Sequence, residues 1–272
     1  VTYFVNSRAV LKTVYGYSGN QLKTVKLYEN TTSSNNPSDW GDPISCSLYT
    51  YHTDGRIRHV IPPTQYRQMV NNGILDPESA GESVLNSYAS AEYEYLNGRV
   101  SRMYKNGRKY AHDFEYAFNY PSGTDLNQWT VRTTVTHSDG SKHFYYFNRI
   151  GQWMLHKVQE PSNVGTKVWY PLYQKFDASS GRLILTANDT AIASVSETNA
   201  WLAQLEPSKG LITEFSYNST GRLESTGIRN GTSGSLVNQS LLEYETRTVT
   251  GKGAIYVAKS ETAYSTAASA SA

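Results

Sequence analysis

The 272-residue sequence predicts an all-β protein built of consecutive antiparallel β-hairpins in a twisted or spiral sheet, with one or two short helices confined to loops. Three observations predict it. A phrase of paired aromatics, a short polar run, glycine, a cation or glutamine, and then an aliphatic residue recurs along the chain. The turn dipeptides Asn106-Gly107, Asp139-Gly140 and Asn230-Gly231 fall in the gaps between copies. Tyrosine is abundant, 22 residues against 7 phenylalanines, and a ring with a polar tip suits a half-exposed sheet.

The phrase is clearest at Phe215-Ser-Tyr217-Asn-Ser-Thr-Gly221-Arg222-Leu223. Residues i and i+2 of a strand share a face, so Phe215 and Tyr217 point the same way. Asn, Ser and Thr supply turn chemistry, and Gly221 supplies access to positive φ. Leu223 opens the return strand. Other copies carry Tyr15, Tyr17 and Gln21; Tyr49, Tyr51, Gly55 and Arg56; Tyr93, Tyr95, Gly98 and Arg99; Tyr145, Phe147, Gly151 and Gln152; and Phe176, Gly181 and Arg182. The anchors at 21, 56, 99, 152, 182 and 222 are 35, 43, 53, 30 and 40 residues apart. So ragged a spacing excludes a strict solenoid, and most gaps leave room for a further, degenerate hairpin.

The order Tyr-x-Tyr, turn, Gly-Arg-Leu resembles the YD repeat of the RHS/YD-repeat family, which includes Rhs proteins, the BC components of insecticidal toxin complexes and the teneurins. The resemblance covers residues 15–223. It implies a long sheet of hairpins that winds as a spiral and in the family can close into a hollow shell. Two departures stand out. The family's Asp after the second aromatic is present only as Asp177, and the repeat length varies. Neither Asp42-Pro43 nor Asp76-Pro77 sits in the context of the family's self-cleaving region, so no protease residue is carried over.

Taken in order, residues 1–28 alternate as two or three strands. Residues 31–43 form a polar, proline-containing loop. Ile44 to Ile61 is a hairpin ended by Pro62-Pro63. A short helix is expected from Thr64 as cap to Gly73 as stop, and a second near Val84-Leu85. Hairpins return from Glu92 to Tyr120, from Gln128 to Gln159 and from Lys167 to Ala187. Ala, Trp201, Leu and Gln within Ser194–Leu205 favour a third short helix, ended by Pro207. Residues 211–264 are β again. The array is expected to run continuously over 1–264, as a fragment of a longer chain, before a small-residue polar tail at 265–272.

The charge balance, 25 Lys+Arg against 23 Asp+Glu, carries no basic stretch, which disfavours nucleic acid as a partner. No apolar run is long enough to span a bilayer. The single Cys46 excludes an internal disulfide and reads as a small apolar strand residue.

Candidate sites are few. His52, Asp54 and His59 flank one turn without a metal-ligand spacing. His137, Asp139, Ser141 and His143 have hydrolase residue types. With Asp139-Gly140 as a two-residue turn, however, His137 and His143 point to opposite faces and cannot converge. Trp40 is the one candidate ligand contact, in the 31–43 loop. The repeated Tyr, Gly and Arg are read as packing residues, because binding residues concentrate at one site whereas packing residues recur with the unit.

The expectation is a non-enzymatic structural segment with no cofactor and no metal. It would build a shell or filament wall in a large exported or cell-surface protein, its sheet edges meeting neighbouring repeats or identical chains. The alternative is an adhesin-like module that recognises a glycan or cell-surface protein through its loops.

Overall fold

The computed structural model describes residues 1–5, 8–30, 40–161, 165–197, 202–249, 251 and 253–264. The tail at 265–272 and Trp201 lie outside them. The fold is all-β, with antiparallel pairing throughout the described strand pairs and two short α-helices. The chain forms two compact units, one of residues 1–114 with 136–139, the other of residues 115–135 with 140–272.

The first unit is a meander in which each strand pairs with the next: β1 (Thr2–Val5), β2 (Arg8–Ser18), β3 (Gln21–Glu29), β4 (Ser45–Tyr51), β5 (Ile57–Ile61), β6 (Ala91–Leu96), β7 (Arg99–Lys105) and the start of β8 (Tyr110–Phe118). Between β5 and β6 the chain leaves the sheet as α1 (Pro63–Asn71), a single 3-10 turn (Pro77–Ser79) and α2 (Glu82–Tyr88). These helices cover Leu48 and Ile61 and complete a small core with Met69, Leu85 and Ala89. Both expected helices are present, but Thr64 is not the cap of α1. Pro62 occupies that position without a side-chain bond, and Pro63 is the first helical residue, where its missing N–H costs nothing. Gly73 follows the helix at φ 85°.

The second unit opens with most of β9 (Trp129–His137). It continues with β10 (Lys142–Asn148), β11 (Trp153–Glu160), β12 (Lys167–Phe176), β13 (Leu183–Ala187), β16 (Leu211–Tyr217), β17 (Leu223–Asn230), β18 (Val237–Val249) and β19 (Gly253–Ala263); from β10 to β19 each pairs antiparallel with the next. Its core gathers Leu126, Trp129, Tyr146, Met154, Leu155, Tyr173, Phe176, Leu185 and Ile212. The helix expected within Ser194–Leu205 is corrected. That stretch is a separate antiparallel pair, β14 (Ile192–Ser196) and β15 (Leu202–Leu205). Burial of Ile192 and Ala203 in the unit's core, together with the strand ladder, outweighs the helix propensity of Ala and Gln.

Asp139-Gly140 is likewise not a two-residue turn of the kind expected. Among the described residues only Asn97, Asn106 and Arg108 are non-glycines at positive φ, so Asp139 does not take the conformation that a type I′ turn demands.

Candidate functional site: a seam built from the repeated phrase

All six copies of the phrase fold to one local plan. The second aromatic sits opposite the aliphatic residue that follows the anchor: Tyr17 opposite Leu22, Tyr51 opposite Ile57, Tyr95 opposite Val100, Phe147 opposite Trp153, Phe176 opposite Leu183 and Tyr217 opposite Leu223. The next pair inward skips one residue of the returning strand, so each hairpin carries a β-bulge at the same place. At β11 the bulge lets two successive side chains, Met154 and Leu155, both enter the core. A strictly alternating strand would send one of them outward.

The turns are closed by their first residue. The N–H groups of His52, Asn148 and Asn218 donate to the carbonyls of Arg56, Gln152 and Arg222 at 2.8, 3.0 and 2.9 Å. Their own carbonyls accept from the N–H groups of Gly55, Gly151 and Gly221 at 2.9, 2.9 and 2.8 Å. Side chains reinforce the loop. Asn218 Oδ1 accepts from the N–H groups of Thr220 and Arg222, and Asp177 Oδ1 accepts from those of Ser179 and Ser180. The Ser179 hydroxyl, with the N–H and hydroxyl of Ser180, holds the Asp177 carboxyl well below its ordinary range, and the Arg56 guanidinium holds Asp54 down to about 2.

Successive hairpins are joined by two contacts made from the same phrase. The hydroxyl of the second tyrosine reaches back to the hairpin before it. There it donates to the carbonyl of the aliphatic residue after the anchor: Tyr51 to Leu22 at 2.7 Å, Tyr95 to Ile57 at 2.9 Å and Tyr217 to Leu183 at 2.8 Å. The anchor side chain reaches forward. Arg56 lies 4.3 Å from the Tyr95 ring centroid and Arg182 lies 5.6 Å from that of Tyr217. Where the anchor is glutamine, it donates instead to the next turn's glycine carbonyl, Gln21 to Gly55 at 3.1 Å and Gln152 to Gly181 at 2.7 Å.

At Gly55 and Gly221 the repeated glycine answers two demands, whereas at Gly98 and Gly151, where a Cβ would meet nothing within 4 Å, it answers the backbone demand alone. Gly221 has φ 80°, and a Cβ there would overlap the Arg182 guanidinium. At Gly55 the same atom would lie 3.2 Å from Gln21 Nε2. Positive φ turns the chain, and the missing side chain leaves room for the anchor of the hairpin before.

A seventh rung was not legible in the sequence. Tyr244 donates to the Leu223 carbonyl at 2.9 Å, its strand pair carries the same bulge, and Arg222 lies 3.8 Å from the Tyr256 ring. Leu242 stands where the first aromatic would be, and long arms separate Tyr244 from its turn. The spacing Leu242-Glu-Tyr244 was the only available signal.

The other candidates are dispersed. His52 Nε2 meets the Tyr93 carbonyl at 2.8 Å, Asp54 pairs with Arg56, and His59 is buried against Thr50 and Asn86. His137 packs edge-on to His112, centroids 4.7 Å apart, whereas His143 Nδ1 lies 3.0 Å from His156 Nε2. Among the described residues no group of three or more His, Cys, Asp or Glu could hold a metal ion. Trp40 is only 6% exposed and the Lys12 ammonium lies 4.6 Å from its ring. Cys46 is buried in β4, and burial pushes its thiol up.

Fold and seam together define a class, a β-hairpin array whose repeated residues bind neighbouring hairpins to each other. No family model matches the chain, and no curated protein matches it either. Solved structures similar to it include a TcdB2-TccC3-Cdc42 crystal structure, at 14% identity and TM-score 0.38 over 89% of this chain. TcdB2-TccC3 without Cdc42 is similar at 13% identity and TM-score 0.38, also over 89% of this chain. A Photorhabdus luminescens Tc holotoxin pore is similar at 12% identity and TM-score 0.24 over 89% of this chain. The chain spans 14%, 14% and 15% of the length of those three chains.

Proposed function

We propose that this chain is a non-enzymatic wall segment of a large exported or cell-surface protein, whose hairpins build part of a β-sheet shell or filament. One observation carries the reading. The phrase joins one hairpin to the next through Tyr51, Tyr95, Tyr217 and Tyr244 and through the glutamine anchors Gln21 and Gln152, and its six copies lie in six different hairpins instead of collecting at one site. Packing residues recur with the unit, whereas a binding site concentrates its residues. The partners proposed for this segment are further hairpin repeats or companion chains, which would satisfy the unpaired groups of its sheet edges. Among the described residues no helix is long and apolar enough to cross a membrane.

The test sets wall against adhesin. The purified chain is screened on a glycan array and on intact cells beside a Trp40→Ala variant of unchanged circular dichroism. The wall reading expects no specific binding by either protein. Binding by the parent that disappears in the folded variant overturns it in favour of loop-borne recognition.

A further inference from the structure

A buried polar cluster in the first unit has no part in the seam. Strands β5 and β6 pair at only two positions, and at one of them His59 stands opposite Glu92. Both are nearly inaccessible, at 1% and 2% exposure. Asn86 of α2 rests on the pair, its amide 2.6 Å from His59 Nε2. Arg108 arrives from the β7–β8 turn and grips Glu92 through two bonds of 2.6 Å. That turn is bound to the exit of the helical insertion, Asn106 N–H to Ser90 at 3.1 Å and Gly107 N–H to Ala89 at 2.8 Å.

The donors and acceptors fix the protonation state. One orientation of the Asn86 amide satisfies every neighbour: its –NH2 donates to Glu92 at 3.2 Å and to His59 Nε2 at 2.6 Å, and its oxygen accepts from Arg108 at 3.2 Å. His59 Nε2 is then an acceptor, the imidazole is neutral, and Nδ1–H donates to Thr50 Oγ1 at 2.6 Å. A second proton would place Nε2–H against the amide –NH2. Rotating the amide to relieve this would turn its –NH2 onto the Arg108 guanidinium and strip its hydrogen bonds from Glu92.

We propose that His59 and Asn86 form a pH-sensitive latch, which holds the helical insertion of residues 62–90 on the sheet at neutral pH and releases it on acidification. The charged groups around His59 are Glu92 from β6 at 3.7 Å, Arg58 beside it on β5, Glu82 on α2, and Arg108 across Glu92. Burial outweighs the pull of the Glu92 and Glu82 carboxylates and holds the imidazole below its ordinary 6.5. Burial would raise Glu92, but Arg108 outweighs it, so that carboxylate stays ionised through the window. The sign follows. Docking is at full strength above pH 6.5, where a released imidazole is also neutral, and weakens as pH falls below 6.5, because the released state takes up the proton that the docked state refuses.

Hydrogen exchange of the whole chain, corrected for intrinsic rates, tests this between pH 7.5 and 5.5. Protection of the α2 amides is expected to fall roughly tenfold, the change that linked titration over one pH unit produces, while the β16–β17 hairpin keeps its protection. In His59→Gln the pH dependence of α2 is expected to vanish with the helix still protected. Unchanged α2 protection, loss spread evenly over the first unit, or a folded His59→Gln that keeps the pH dependence would each overturn the latch. Should the variant fail to fold, the His59 ring resonances of the unaltered chain decide: a titration midpoint below 6.5 supports the latch, and one at or above 6.5 overturns it.

Discussion

Tyr217 donates its hydroxyl to the carbonyl of Leu183 at 2.8 Å, across two hairpins 34 residues apart in sequence. That carbonyl belongs to the residue that follows Arg182, whose guanidinium lies over the same tyrosine ring. One side chain is therefore held from two directions by two consecutive residues of the preceding hairpin.

Tyr217→Phe removes the hydroxyl and leaves the ring. The variant is expected to lose about 1 kcal/mol of stability, the net contribution of one hydrogen bond, read as a lower urea midpoint at unchanged slope. Tyr51→Phe and Tyr95→Phe should lose similar amounts. Tyr51 and Tyr95 sit on successive rungs that share Ile57, so a double-mutant cycle on that pair measures how strongly one rung supports the next.

Arginine and glutamine serve the anchor by different bonds, and the position should accept either. Arg182→Gln is expected to cost less than about 1 kcal/mol, because a glutamine amide there can reach the Gly221 carbonyl as Gln152 reaches that of Gly181. Arg182→Glu offers no donor and should destabilise more. Thermal melts of the two variants in parallel give the ranking.

Gly221→Ala meets both demands on the turn at once. Positive φ and the overlap with Arg182 together should cost about 2–4 kcal/mol. Combining it with Arg182→Ala should recover the overlap part only, which a double-mutant cycle in urea measures.

In the second unit the Glu197 carboxylate accepts from the buried Tyr146 hydroxyl and pairs with Arg132 at 2.7 Å and Lys157 at 3.4 Å. Burial pushes its pKa up, but Tyr146 and the two cations outweigh burial and hold it below 4.5. Its contribution is present above pH 4.5 and is lost as pH falls through the lowered value. Glu197→Gln keeps an acceptor for Tyr146 and should flatten the acid limb of the stability curve. Glu197→Ala strands the hydroxyl and should cost about 1–3 kcal/mol at pH 7, measured by urea denaturation.

The hairpins were legible because their determinants are local. A glycine at positive φ, a polar side chain that folds back on its own turn, and two aromatics on one face all lie within about ten residues, the span of a single hairpin. The seam was legible only as a recurrence. Which carbonyl Tyr51 would find depends on how two hairpins register, and nothing near Leu22 marks it as an acceptor. The β14–β15 pair was misread because its composition favours helix, while the core contacts of Ile192 and Ala203 that decide the matter come from distant strands. The cluster of His59, Asn86, Glu92 and Arg108 was invisible for a related reason. Its members span 50 positions, 59 to 108, without a motif, and only the docking of α2 over β5 and β6 brings them together.

Each rung asks little of its neighbour. The tyrosine needs a main-chain oxygen, and the glutamine anchor needs another. Every polypeptide offers such oxygens whatever its side chains, so the joint between two hairpins is indifferent to most of the sequence on either side. A gene that gained or lost one hairpin by recombination would encode a new junction already compatible with its neighbours.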